Sequence, residues 1–246
     1  MKKIKFFIYS IITYLSTKLD KYDNKLSYIL ISIVALVIVS FGIHFFIELT
    51  ESLQTDFLKN FDESVSSFIT SFRNPKLTSF LTFITDVGDK WGYLAVFTLA
   101  SILFYYFFKN WMFVFKLLFV LVIALSSNLL LKQLINRQRP TVEHLVSVQT
   151  LSYPSGHAMT AMAFYGFLIY LVLTLRLRKS LKYTLVLLFS FLILTIGISR
   201  IYLGVHYPSD IIGGFIAGFI WVIFCILILN LLKIFRNHSR IVKFMR

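Results

Sequence analysis

The sequence predicts an all-α integral membrane protein: a six-transmembrane-helix bundle with amphipathic interfacial helices at the N-terminus and between spans 1 and 2. Three observations carry that prediction. Of 246 residues, 58% are hydrophobic and only 15% charged, against about a quarter charged in soluble domains. Six apolar runs come close to the ~20 residues that a helix rising ~1.5 Å per residue needs to cross the hydrocarbon core. The lysines and arginines behind the formal net charge of +14 gather in short clusters beside those runs. Anionic lipid head groups are the natural counter-charge there, which argues against nucleic acid as a partner. The single cysteine, Cys225, lies inside an apolar run, so no intrachain disulfide is possible.

In chain order, residues 1–25 hold six lysines interleaved with Phe6, Phe7, Ile8, Ile11, Ile12 and Leu15, the pattern of an interfacial amphipathic helix. No small-residue cleavage pattern follows, so the segment reads as part of the mature protein. The membrane domain occupies 26–232, with spans expected at Leu26–Ile47, Trp91–Phe108, Trp111–Leu131, Ala158–Leu175, Tyr183–Ser199 and Ile211–Leu232. Between the first two, 48–90 carries seven acids and four bases, with Phe57, Phe61, Val65 and Phe68 at helical spacing. One or two helices along the membrane surface are expected there. Residues 233–246 read as a basic cytoplasmic tail.

Orientation follows from lysine and arginine in short loops, which are retained on the cytoplasmic side. With the N-terminus inside, 17 of the 25 bases fall on the inner side, while nine of the eleven acids fall outside. Both termini are expected to be cytoplasmic in a multi-pass protein of the cell (inner or plasma) membrane.

Ionisable residues at membrane depth are costly unless they serve a function, and three clusters stand out. Lys132 to Pro140 closes the third span; Pro154-Ser155-Gly156-His157 opens the fourth; Ser199 to Asp210 bridges the fifth and sixth. In the expected topology all three meet on the extracytoplasmic face. Lys132, Arg139 and Arg200 break the positive-inside pattern and describe a receptor for a multiply charged anion, with arginine forks matched to phosphate oxygens. Ser155 is expected to cap the fourth span, and Gly156 to let backbone approach closely, so that free N–H groups and the helix dipole add to the pocket. One imidazole can then attack phosphorus while the other protonates the leaving oxygen. Asp210, four residues after His206 and expected in a first turn capped by Ser209, can accept from His206 Nδ1–H and leave Nε2 free. His206 is therefore the expected nucleophile and His157 the acid/base.

These strings, Lys132-x6-Arg139-Pro140, Pro154-Ser155-Gly156-His157 and Ser199-Arg200-x5-His206-x3-Asp210, resemble the three-part signature of the type 2 phosphatidic acid phosphatase superfamily. All its positions are matched, and the resemblance covers Trp91 to Leu232. It implies a six-helix core, dephosphorylation through a phosphohistidine without metal or other cofactor, and a lipid phosphate or pyrophosphate substrate in the membrane. It would assign phosphate binding to Lys132, Arg139, Arg200, Ser155 and Gly156, and catalysis to His206, His157 and Asp210. Members include phosphatidylglycerophosphate and undecaprenyl pyrophosphate phosphatases, and broad phosphatidic acid phosphatases are an alternative. An outward site leans mildly toward the undecaprenyl carrier.

Other readings fit less well. His157, His206 and Asp210 could form a zinc site, but three nearby cations would repel a metal. Ser155 as a hydrolase nucleophile lacks the Gly-x-Ser-x-Gly elbow. An anion or lipid transporter would be expected to show an internal repeat, which the two halves lack. Interfacial snorkelling accounts for Arg137, Lys109 and the loop from Arg176 to Lys182, and Glu143 reads as a wet-loop residue.

Overall fold

A computed structural model describes residues 24–148 and 150–244. The interfacial helix expected over 1–25 lies outside the described residues but for its last two positions. Among the described residues there are eight α-helices: α1 (Asn24–Glu51), α2 (Asp56–Thr70), α3 (Pro75–Val87), α4 (Lys90–Phe108), α5 (Met112–Ile135), α6 (Gly156–Thr174), α7 (Lys179–Tyr202) and α8 (Pro208–Phe244). Six of these, α1 and α4 to α8, are long and apolar enough to cross a membrane. The helices extend a few residues past the expected apolar cores, because polar residues at a span end keep their helical hydrogen bonds. The backbone of α8 runs without a break into the basic stretch read as a separate tail.

Local chemistry sets the helix ends. Thr55 caps α2, accepting from Leu58 N–H; Asn74 caps α3, accepting from Leu77 N–H, with Pro75 in the first turn. Asp89 caps α4 by accepting from Lys90 N–H, and Ser155 caps α6 by accepting from Ala158 N–H. The C-terminal turn of α5 closes on Asn136 in the left-handed conformation, φ 52°. That turn directs the chain out of the helix three residues before Arg139.

Helix α6 is the centre of the bundle, packed against α8, α7 and α5. Its Phe164, Phe167 and Leu171 fill the core with Leu117 and Val120 of α5, Ile196 of α7 and Cys225 of α8. Helix α8 approaches α6 closely through glycine. A Cβ at Gly214 would stand 2.8 Å from the Ser155 carbonyl oxygen, and one at Gly218 2.5 Å from that of Met159. The start of α6, which carries His157, is thereby held in register with the start of α8, which carries Asp210.

The segment between the first two spans forms two amphipathic helices, as expected, but the expected apolar stripe of α2 faces away from the protein. Phe57 is 81% and Phe68 66% exposed, whereas Leu58 and Asp62 are buried against the bundle. An interfacial helix turns its phenylalanines toward lipid, and α2 sets an acid on its protein side.

Candidate active site

The three polar clusters converge at one end of the bundle around a cavity of about 950 Å³. Lys132 comes from the last turn of α5, Arg139 from the loop after it, Gly156 and His157 from the first turn of α6, Arg200 from the last turn of α7, and His206 from the α7–α8 turn. All six line the cavity. The remaining two sequence-predicted residues stand behind it. Ser155 is fully buried, its Oγ occupied as the α6 cap, and Asp210 is fully buried behind His206.

The cations are held by neutral groups. Lys132 Nζ donates to Thr150 Oγ1 and to the Leu151 carbonyl; Arg139 donates to the carbonyls of Thr150 and Val205; Arg200 Nη1 donates to Thr85 Oγ1 at 2.8 Å. Among the described residues, no carboxylate lies within ion-pair distance of any of the three. Arg200 Nε is buried with no hydrogen-bond partner there. Buried cations without a counter-charge are expensive, and a bound anion removes that cost.

Geometry fixes the roles of the ring nitrogens of His206. Arg139 Nη1 lies 3.3 Å from Nε2, and a guanidinium has no lone pair to offer, so Nε2 is the accepting nitrogen. Nδ1 then carries the proton and faces Asp210 Oδ2, also at 3.3 Å. Burial depresses the His206 pKa to about 3, against the opposing pull of its hydrogen bond to Asp210. The imidazole is therefore neutral at physiological pH, with its Nε2 lone pair on the cavity side. His157 Nε2 has Asp89 Oδ1 4.0 Å away.

The two helix starts differ in one respect from the sequence expectation. Because α8 begins at Pro208, Ser209 lies inside its first turn and is not the cap. The Asp210 carboxylate reaches back instead, accepting from Tyr207 N–H at 2.8 Å.

The family model that matches the chain is that of the PAP2 superfamily, over residues 113–233. Phosphatidylglycerophosphatase B of Bacillus subtilis (strain 168) is 32% identical over 177 residues, 71% of this chain and 86% of that protein. The chain belongs to the PAP2 superfamily. Among solved structures, the first transmembrane PAP2 type phosphatidylglycerolphosphate phosphatase from Bacillus subtilis is similar with a TM-score of 0.71 at 29% identity, covering 76% of this chain and 93% of that one. LpxE of Aquifex aeolicus is similar with a TM-score of 0.53 at 26% identity, over 66% and 93%. As a PAP2 protein the chain is a lipid phosphatase.

Around the PAP2 signature stand residues that the motifs do not contain. Ser152 Oγ donates to Asp210 Oδ2, and Thr150 braces both Lys132 and Arg139. Both precede the Pro-Ser-Gly-His string by a few positions, in a stretch that also holds Ser147 and Gln149, so nothing in the sequence singles them out. Arg137 corrects the snorkelling expectation outright. It is largely buried, donates to Asp210 Oδ1 at 2.7 Å and to Asp62 Oδ2 at 2.8 Å, and stacks over the Tyr207 ring. The two carboxylates hold its pKa up in spite of burial.

Proposed function

We propose that the protein hydrolyses a lipid phosphate or pyrophosphate monoester through a phosphohistidine on His206, at a site on the extracytoplasmic side of the cell membrane. The observation that carries this reading is the cavity itself: three cations with no carboxylate in ion-pair distance among the described residues, the Nε2 lone pair of His206 and the His157 imidazole share one space. That space continues along an apolar wall formed by Leu94 and Phe97 of α4 and Leu118, Leu121 and Leu125 of α5. A head group can be drawn into the polar end while its acyl or prenyl chain stays among these side chains. Two imidazoles among three cations make a poor donor set for a metal, so the cations themselves supply the electrostatic stabilisation.

In the first step Arg139 Nη1 turns from Nε2 to a phosphate oxygen, His206 Nε2 attacks the terminal phosphorus with the lone pair so freed, and the bond from that phosphorus to the leaving oxygen of the lipid breaks. His157 gives that oxygen its proton, while Lys132, Arg139, Arg200 and the first N–H groups of α6 hold the three equatorial oxygens. The positive charge on the imidazole is balanced by Asp210 across Nδ1. In the second step His157 takes a proton from water, which attacks phosphorus, breaks the P–N bond and releases inorganic phosphate. Ser155 serves by capping α6, and Gly156 by admitting the close approach; a Cβ there would lie 2.8 Å from Asn128 Oδ1.

The similarity to phosphatidylglycerophosphatase B makes phosphatidylglycerophosphate the first substrate to test. Undecaprenyl pyrophosphate is the second reading, favoured by the outward placement that the positive-inside pattern assigns to the site. Purified protein in matched detergent micelles is expected to release phosphate from one of these or from phosphatidic acid with EDTA present. Vanadate is expected to inhibit, and His206→Ala to lose turnover. Undiminished release by His206→Ala would overturn the nucleophile assignment.

A further inference from the structure

Asp62 is buried to 1% exposure on an interfacial helix whose other charges are solvated, and it lies outside the 113–233 stretch matched by the PAP2 family. Its carboxylate is fully engaged. Oδ1 accepts from Ser209 N–H at 2.8 Å; Oδ2 accepts from Ser209 Oγ at 2.6 Å and from Arg137 Nη2 at 2.8 Å. Arg137 turns its other nitrogen, Nη1, to Asp210 Oδ1 at 2.7 Å and to Ser209 Oγ at 2.7 Å. Asp210 Oδ1 is thus pinned from the far side. Its Oδ2 is left for His206 Nδ1, Ser152 Oγ and Tyr207 N–H.

We propose that Asp62 is a positioning residue of the reaction, acting through Arg137 to orient Asp210 and preserve its negative charge toward His206. This rests on the proposed role of His206 as nucleophile. A guanidinium bound to Asp210 alone would draw charge from that carboxylate and weaken its hold on the imidazole. A second carboxylate on the other terminal nitrogen of the same guanidinium divides that pull. Both carboxylates also clamp the first turn of α8, Asp62 through Ser209 and Asp210 through Tyr207, so the acceptor aimed at Nδ1 is fixed in direction as well as charge. A buried ion pair is by itself weak evidence of a contribution to stability. A chain of two carboxylates on one arginine, ending on a reacting imidazole, is better accounted for by the reaction than by folding.

The test compares wild type with Asp62→Asn, which keeps size and one acceptor but removes the charge, and with Arg137→Lys, which keeps a cation but loses the planar fork that gives each carboxylate its own nitrogen. Phosphatidylglycerophosphate in detergent micelles is the probe, with phosphatidic acid beside it, and kcat is taken per folded molecule. Asp62→Asn is expected to lower kcat roughly ten- to hundred-fold with KM within about twofold, as for loss of a hydrogen bond to a charged group. The Asp62→Asn/Asp210→Asn pair is expected to be no slower than Asp210→Asn alone. A folded Asp62→Asn protein with wild-type kcat, or losses that multiply in the double variant, would overturn the proposal. If Asp62→Asn yields no folded protein, Arg137→Lys decides: the same kcat loss at unchanged KM supports the proposal and wild-type kcat overturns it. A wild-type protein inactive on these two lipids and on undecaprenyl pyrophosphate as well would instead sink the phosphatase reading.

Discussion

At the scale of single residues, the property that makes His206 useful is the one that makes it a burden to folding. Its imidazole is 2% exposed and its pKa is depressed to about 3, while an unfolded histidine titrates near 6.5. Between those values the unfolded chain binds a proton that the folded chain refuses. By linkage, stability is then complete above about pH 6.5 and is lost as pH falls toward about 3, with a slope from this group of at most ~1.4 kcal/mol per pH unit. The neighbours do not reverse the sign: Asp210 pulls the pKa up, and burial together with Arg139 and Arg200 overcomes it. Thermal unfolding of detergent-purified protein from pH 7 to pH 4 is expected to show a falling Tm, and His206→Asn a distinctly shallower fall. Parallel slopes would show that the ring is protonated in the fold. Residues of this kind were legible from sequence because each breaks a rule that its surroundings obey: Lys132, Arg139 and Arg200 are cations on the side that the topology expected from charge keeps poor in them. Arg137 breaks the same rule, two positions from Arg139, yet it stands outside the Lys132-x6-Arg139-Pro140 string, and an arginine at a span end has an ordinary explanation in snorkelling.

At the scale of elements, the site depends on how two helices meet. Helix α6 presents His157 and its own N-terminus, α8 presents Asp210, and their close crossing is set by Gly214 and Gly218. A methyl group at Gly218 would fall 2.5 Å from the Met159 carbonyl oxygen and 2.8 Å from Met162 Cβ, neither of which is the free end of a flexible chain. Gly218→Ala is therefore expected to force the helices apart, costing about 1–3 kcal/mol and slowing turnover as His157 moves from His206. Gly166→Ala is the matched control, since its methyl would meet only Val222 Cγ2 at 3.3 Å and Met162 Sδ at 3.8 Å. A Tm for Gly218→Ala no lower than that of Gly166→Ala would show that the contact relaxes freely. Helix α2 marks where sequence reading stops. Its period was plain, but period alone does not say which face meets protein. The phenylalanine stripe suits lipid, so the face that packs is the one with Leu58 and Asp62, and a single acid beside one leucine gives no hint that it reaches Arg137.

At the scale of the whole molecule, the six spans were legible because the bilayer imposes length and apolarity on every helix that crosses it, whatever that helix later packs against. Which side the cavity faces is a separate matter, since a bundle has the same internal contacts in either orientation. Charge supplies the asymmetry. The end holding Lys132, Arg139 and Arg200 is also the end holding α2 and α3, where acids outnumber bases. The opposite end carries Lys109 and the Arg176–Lys182 connection. In the proposed orientation, which keeps those clusters in the cytoplasm, the catalytic end faces outside, so lipids presented in the outer leaflet would reach it directly and inner-leaflet phosphates would first have to cross. Thr141 is exposed in the loop after Arg139, and the native Cys225 is fully buried. A Thr141→Cys protein is therefore expected to react with a membrane-impermeant maleimide on intact cells, with the unsubstituted protein unlabelled. Labelling that appears only after lysis would turn the bundle over and hand the cavity to lipids of the cytoplasmic leaflet.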